Sequence, residues 1–517
     1  MSNDLVKNKI YLDKSIANKK AQVLIEGDII VSDTKPDIAN ILQTSANFVI
    51  DKNEILNGKI SMAGKLNLNV LYTTKDNESV YNIDHCSKIN DYINVDNLEK
   101  EMLLDLKPNI NKIDYKILND RKINFRAIID LEVSVSKEEE LEIITAIKEI
   151  PDTQLLKQKI NLNRFADSRF DRFIIKDEFN LDSNKPNILE ILKIDTEIIS
   201  KDIKVFDGKV NSTGEIILKI IYKPDISDSI IESAEHKIDF NGVFDVPKAK
   251  EFMQADLKLF VQEQNIDIKT NQDGEDRLLD CEIFVGANIK LLSNQELEIL
   301  KDVYEINKKI NLIQEDIEYQ DIICKTKSQV NLKELIELNK SLPEIFNIVK
   351  INAVPYLDDI HVIPDKLILD GFIELDILYL TQNNENKIYN YKTAISFKQT
   401  LETAGSLPDM IYSADLSIEK INFNNINNYE VEVRLLANLN AYIIDSLNLK
   451  IIKNVEITDF EKEDLEKFSS ITLYTIQDDD KLWEIAKKYN TSIDRLKEIN
   501  DITDDIIKSG QKLLIIK

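Results

Sequence analysis

Along most of this chain apolar and polar residues alternate at period two, the pattern of strands with one buried face. Gly64-Lys-Leu66-Asn-Leu68-Asn-Val70-Leu71-Tyr72 shows it plainly, and Gly371-Phe-Ile373-Glu-Leu375-Asp-Ile377-Leu378-Tyr379 repeats it. Longer stretches of the same kind run from Ile123 to Val135, from Leu278 to Leu292 and from Tyr429 to Ile444. Leu257 to Val261 and Leu416 to Ile418 predict further short strands. Asn57-Gly58 and Asp207-Gly208 are hairpin-type turn dipeptides. The period changes only near the C-terminus, where Leu482, Ile485, Ala486 and Tyr489 share one helical face and Ile493, Leu496 and Ile499 another. Asp480 and Ser492 are the expected N-caps of these helices. Strands from Ile471 and from Lys512 to Ile516 flank them, with Ser509-Gly510 turning into the last.

The strand pattern recurs. Lys35-Pro36-Asp37-Ile38 matches Lys185-Pro186-Asn187-Ile188 at an offset of 150 residues, which holds through Gly58/Gly208, Gly64/Gly214 and Tyr72/Tyr222. A third copy, opening at Leu342-Pro343-Glu344-Ile345, follows 157 residues behind and keeps Gly371 and Tyr379 but has Asp365 where Gly208 stood. Constant offsets over several anchors mean an internal repeat. The expected fold is mainly β: three repeated antiparallel β-rich domains, sandwich-like or open-barrel-like with a few short helices, then a small βααβ unit. Domains are expected at 1–160, 161–310 and 311–457, with a charged linker at 458–470 and the terminal unit at 471–517. Each repeat is large enough to fold alone. The prolines read as starts of a short amphipathic turn or helix. Gly64, Gly214 and Gly371 read as strand starts needing a turn or a close backbone approach. Tyr72, Tyr222 and Tyr379 read as strand ends capping the core with the hydroxyl at the surface.

Composition narrows the function. The formal net charge of -26 repels phosphate backbones, and no basic stripe with interleaved aromatics offsets it, so nucleic acid is not expected as a partner. Cys86, Cys281 and Cys324 form no CxxC pair, which fits a reducing compartment. The N-terminus lacks an apolar leader and no stretch approaches ~18 uninterrupted apolar residues, so a cytosolic protein with no membrane span is expected. Three histidines, His85, His236 and His361, are a small stock for acid–base or metal chemistry and none lies at metal-ligand spacing. GxxxxGK[ST], GxGxxG and GxSxG are missing. Glu138-Glu139-Glu140 reads as a solvated edge, and Asp478-Asp479-Asp480 lacks the glycine and closing glutamate of a calcium loop. No enzyme, metal or cofactor is expected.

The terminal unit resembles the LysM domain, which opens Tyr-x-Val-x-x-Gly-Asp-Thr-Leu-Trp-x-Ile-Ala and closes Gly-Gln-x-Leu. Tyr474, Ile476, Asp480, Leu482, Trp483, Ile485, Ala486, Asn500, Gly510, Gln511 and Leu513 stand at those positions. The resemblance implies binding of N-acetylglucosamine polymers around the Gly-Asp-Thr loop. Here that loop is Asp479-Asp480-Lys481, a departure that puts glycan binding in question. A repeated β-rich body followed by a terminal LysM unit resembles the SPOCS/LysM family of spore-coat morphogenetic proteins of endospore-forming clostridia. That resemblance implies a non-enzymatic adaptor in the mother-cell cytoplasm, anchoring coat assembly at the forespore surface. It further implies that the LysM unit docks on the coat's basement-layer ATPase, with other coat proteins as further partners. From the alternation in the first LysM strand, Ile471 and Leu473 face away from Tyr474 and Ile476. With Asp480, Lys481 and Trp483 they form the candidate partner-binding set. Trp483 also has a reading as core, and Ile471 and Leu473 one as packing on the linker or the third repeat. The competing function is a peptidoglycan or N-acetylglucosamine binder acting at cortex or wall.

Overall fold

In the computed structural model, which describes residues 5–75, 79–147, 152–226, 230–382, 387–461, 471–503 and 507–516, each repeat becomes six long strands. The first contains β1 (Leu5–Ile30), β2 (Asn40–Leu56), β3 (Lys59–Thr73), β4 (Val80–Asn94), β5 (Leu103–Asn119) and β6 (Lys122–Ile147). The second contains β7 (Thr153–Asn180), β8 (Ile188–Phe206), β9 (Lys209–Pro224), β10 (Glu232–Asp245), β11 (Gln254–Thr270) and β12 (Asp276–Glu305). The third contains β13 (Lys308–Glu337), β14 (Asn347–Ile363), β15 (Lys366–Leu380), β16 (Ile388–Glu402), β17 (Ile411–Asn427) and β18 (Glu430–Asp459). Every domain is two three-stranded antiparallel sheets, ordered β2-β3-β4 and β1-β6-β5 in the first and likewise in the others. The alternating runs supply the facing surfaces: Leu66 and Val70 of β3 and Phe125, Ala127 and Ile129 of β6 are fully buried in one cluster.

The structure corrects several expectations. Among the described residues the repeats contain no helix; the Pro36 turn leads directly into β2, as do its counterparts into β8 and β14. The boundary expected at 160 falls inside β7 and that at 310 inside β13, while β18 continues past 457 to Asp459. Most of the expected charged linker, residues 462–470, lies outside the described residues. The tyrosine hydroxyls point inward. Tyr72, Tyr222 and Tyr379 are wholly buried and donate to the carbonyls of Pro36, Pro186 and Pro343 at 2.9, 3.1 and 3.0 Å. A carbonyl at a turn before a strand has no ladder partner, and the phenol supplies one. Burial pushes the Tyr72 and Tyr222 phenols up to about 12.

The shared glycines stand in mid-strand rather than at strand starts. Gly64, Gly214 and Gly371 lie opposite Ile50, Ser200 and Leu357, where the neighbouring strand slips register. The bulge drives that strand's backbone toward the glycine. A Cβ on Gly64 would stand 2.7 Å from the Val49 carbonyl oxygen. Asp365, which replaces a turn glycine, itself adopts φ of 60° and accepts a bond from the Gly405 amide at 2.7 Å.

The three domains are not arranged as separate beads. Leu71, Ile221 and Leu378 occupy equivalent positions and meet in one buried cluster with Val80, Leu192 and Val349, so the domains close into a ring with pseudo-threefold symmetry. Domain 3 returns to domain 1, with β15 and β16 beside β2. The outer halves of the longest strands, β1/β6, β7/β12 and β13/β18, continue as two-stranded ribbons and pack into a common stem. Ile10, Leu12, Ile143, Ile160, Leu162, Ile299, Ile317, Tyr319, Leu449 and Ile451 fill it. A second layer, with Ile147, Leu300, Val303 and Ile452, lies nearer the ribbon ends.

Polar groups are buried at these interfaces. Gln43, Lys193 and Lys350 are equivalent residues; Lys193 Nζ donates to Gln43 Oε1 at 2.9 Å and Lys350 pairs with Asp195. Burial pushes Lys193 down to about 8 and Lys350 well below its ordinary value. In the stem Arg164 pairs with Glu138 at 2.7 Å and lies 3.7 Å from Asp13, whose Oδ2 accepts the Phe165 amide at 3.1 Å. Burial outweighs Arg164 and pushes the Asp13 carboxyl up to about 6 from 3.8. Between these values the folded state holds a proton that the unfolded state has lost, so Asp13 makes stability fall as pH rises from about 4 to about 6. Asp13→Asn removes that loss, worth roughly 3 kcal/mol over the window. Urea titrations at pH 4, 5, 6 and 7 check it: the variant should gain stability relative to the parent as pH rises, and a constant difference contradicts the assignment.

Candidate partner-docking site

The terminal unit contains β19 (Ile471–Thr475), α1 (Leu482–Lys488), α2 (Ile493–Ile499) and β20 (Lys512–Ile516). Ile476, Leu482, Ile485, Ala486, Leu496, Leu513 and Ile515 form its core, as the helical and strand periods require. Gly510 turns into β20 with φ of 82°. Ser492 caps α2, its hydroxyl accepting the Arg495 amide at 3.2 Å. Asp480 does not cap α1. The N-cap is Lys481, which makes no side-chain cap bond, and Asp480 Oδ2 instead accepts from the Gln477 amide and the Tyr474 hydroxyl, both at 2.8 Å. Those bonds, the Gln477 amide foremost, hold its carboxyl below the usual carboxylate range. Asp479 adopts φ of 70°, the left-handed conformation that favours glycine.

The five candidate residues divide between different faces. Ile471 and Leu473 are 67% and 63% exposed and pair across the ladder with Ile516 and Leu514, so four aliphatic side chains share the outer sheet face. Asp480 is half-buried in the loop and Lys481 exposed at the start of α1. Trp483 is only 8% exposed. Its Nε1 donates to Asp302 Oδ2 at 2.8 Å, and its ring meets Tyr304 edge-on at 5.0 Å between centroids. Lys487 Nζ pairs with the same carboxylate at 2.7 Å, the Tyr304 hydroxyl donates to the Thr491 carbonyl at 2.8 Å, and Asn490 Nδ2 donates to the Ile306 carbonyl. Leu156 and Ile306 complete this contact, so the unit is seated on the ribbon end of the second domain. Asp302 and Tyr304 carried no signal in the sequence, because their pairing with Trp483 spans about 180 residues and breaks no local period.

Elsewhere a crevice of about 360 Å³ separates domains 2 and 3, lined by Phe179, Lys219, His236, Lys350 and Phe423 among others. His236 stacks on Phe179 and bonds Asp177 at 2.9 Å, which accounts for its ring within the fold. Among the described residues no cluster of three His, Cys, Asp or Glu has metal-binding geometry, and no helix is long and apolar enough to cross a membrane.

Together these features define a repeat scaffold of β-sandwich domains bearing a small βααβ module. The domain described as "SipL, SPOCS domain" matches residues 37–118, 187–269 and 344–426, and the LysM domain matches 474–515. The chain belongs to the SipL-like SPOCS/LysM family of sporulation proteins. Both are non-catalytic domain types. The SPOCS matches cover the four middle strands of each repeat, leaving the first and last, which build the stem, outside them. Neither a curated protein nor a solved structure matches the chain.

Proposed function

We propose that this protein is a non-enzymatic spore-coat adaptor, acting in the mother-cell cytoplasm at the forespore surface. In this reading the three-domain ring is a scaffold and the LysM module docks on the coat's basement-layer ATPase. The observation that carries it is the outer sheet face. Four aliphatic side chains, led by Ile471 and Leu473, are displayed on a module whose glycan loop has departed from its usual residues. Exposed aliphatics at this density suit a protein interface better than a sugar, whose hydroxyls need polar partners. Lys481 stands at the edge of this module and Asp480 is committed to its own loop, so Asp480 shapes the surface rather than meeting the partner.

Ile471→Asp with Leu473→Asp in the full chain tests the reading. Each exposed change should leave the thermal midpoint nearly unaltered. Retention of the ATPase should weaken by about 30-fold or more, the scale of one hot-spot residue. Wild-type retention by the double variant would overturn the docking face. The LysM match itself favours the alternative, a peptidoglycan binder. Calorimetry with chito-oligosaccharides separates the two: no saturable heat is expected into the millimolar range, and saturable binding would favour the glycan reading.

A further inference from the structure

The ring is pseudo-symmetric, but its three ribbon ends are not alike. Leu156, Val6 and Ile313 are equivalent, each placed opposite the same bulge, and pair with Asp302, Ala146 and Asn454. Val6 and Ile313 are 40% and 46% exposed, whereas Leu156 packs against the LysM core. Where the second domain has Tyr304, the third has Glu456. Among the described residues, only the second ribbon end therefore combines a carboxylate, an aromatic ring and a covered aliphatic. The Asp302 carboxylate serves Trp483 Nε1 and Lys487 Nζ together, and Tyr304 both abuts the indole and bonds the chain after α1. The bonds of Asp302 with Trp483 Nε1 and of Tyr304 with the Thr491 carbonyl, at separate points of one module, fix its orientation and not merely its attachment.

We propose that Asp302 is a positioning residue for the docking function: it fixes the LysM module on the second domain so that Trp483 faces its own body and the Ile471–Leu473 face looks outward. This rests on the adaptor reading above. Trp483 then supports partner binding through orientation and does not touch the partner. A free tether would present the aliphatic face in all directions and lose affinity to the disorder of the module; a fixed one has that ordering built in.

Trp483 is the sole tryptophan of the chain, so its fluorescence reads the seat directly in the full-length protein. Asp302→Ala should red-shift its emission and raise its acrylamide quenching, as the seated-to-free ratio falls on the order of tenfold with loss of a charged hydrogen-bond acceptor. Asp302→Asn keeps an acceptor for Nε1 and should restore much of the burial. Lys487→Met, from the module's side, should change little, because a half-exposed ion pair contributes little. Unchanged quenching in Asp302→Ala overturns the seat. If that variant loosens Trp483 yet holds the ATPase at wild-type affinity, the positioning role is overturned. If the wild-type protein retains no ATPase, the docking reading falls while the fluorescence still decides the seat.

Discussion

Gly214→Val is expected to leave no soluble folded protein. Gly214 lies within β9, on a sandwich face, opposite the bulge at Ser200 of β8. A Cβ there would collide with the Ile199 carbonyl and stand 2.7 Å from the Phe240 ring. Neither neighbour has room to retreat. The carbonyl is fixed by the bulged ladder, and Phe240 is 7% exposed between the two sheets of its domain. Overpacking a core by a methylene or two costs about 1–3 kcal/mol when only side chains must shift. Here backbone and aromatic would both have to move, and two further carbons of valine follow the first. The total approaches the whole stability of a typical domain, about 5–15 kcal/mol. Gly58→Ala is the contrasting change. Gly58 has φ of 70° in the β2–β3 turn, but nothing lies within 4 Å of its Cβ position. It should cost about 1 kcal/mol and remain folded. Soluble yield and urea unfolding of the two variants check the pair, and a Gly214→Val protein with a wild-type midpoint would refute the close-approach account.

That contrast shows how far the sequence could be read. Periodicity identified the strands around Leu66–Tyr72 and Ile123–Val135 because burial on one face is a local property. The repeat offsets mark the shared glycines and tyrosines as structural, and the close backbone approach expected at the glycines is present, but in mid-strand opposite a bulge, while the tyrosine hydroxyls turn inward. A glycine opposite a bulge and a glycine in a turn look alike in sequence. A tyrosine ending an apolar run does not show that its hydroxyl will reach Pro36 across 36 residues. The LysM frame was legible residue by residue, including the outward face of Ile471 and Leu473, because strand alternation alone fixes it. The N-cap was not. Asp480 has the right chemistry, but the Tyr474 hydroxyl and Gln477 amide compete for the same oxygen and win. Least legible was everything that joins distant segments. β1 pairs with β6 across roughly 90 to 140 residues, and the stem and ring bring together segments at least as distant in sequence. An independently folding repeat was the natural expectation, since each copy has a full sandwich. No single copy's pattern shows that the three also pack on one another in a closed ring.

Ring closure makes the removal of one domain more damaging than independent domains would allow. A chain starting at Asp152 keeps two complete sandwiches but loses Leu71 and Val80 from the central cluster and Ile10, Leu12 and Ile143 from the stem. It also strips Arg164 of Asp13 and Glu138, and Lys193 of Gln43. Two apolar surfaces are uncovered, one on domain 2 and one on domain 3, and they are not the same surface. Domain 3 meets domain 1 through β15 and β16, the side equivalent to the β3 and β4 that domain 1 turns toward domain 2, while domain 2 receives domain 1 on β8, its opposite side. Through the repeat relation, the bare side of domain 3 fits the bare side of domain 2 of another molecule. Such head-to-tail pairing closes only if the rotations complete a turn. Each domain accounts for a third of a turn, so two two-domain units would need four thirds: the neighbour's second domain falls where domain 2 of the first unit stands, the ring cannot close, and each added unit leaves a free end. The truncated protein should therefore grow into open polymers with concentration instead of stopping at a dimer. Light scattering over a dilution series checks this, with mass rising continuously as the expected result. Adding the first domain as a separate chain should cap the open ends and lower the mean mass. A monodisperse two-domain monomer with wild-type unfolding behaviour would show that the clusters joining the domains contribute little, and that the ring is an arrangement of independent folds.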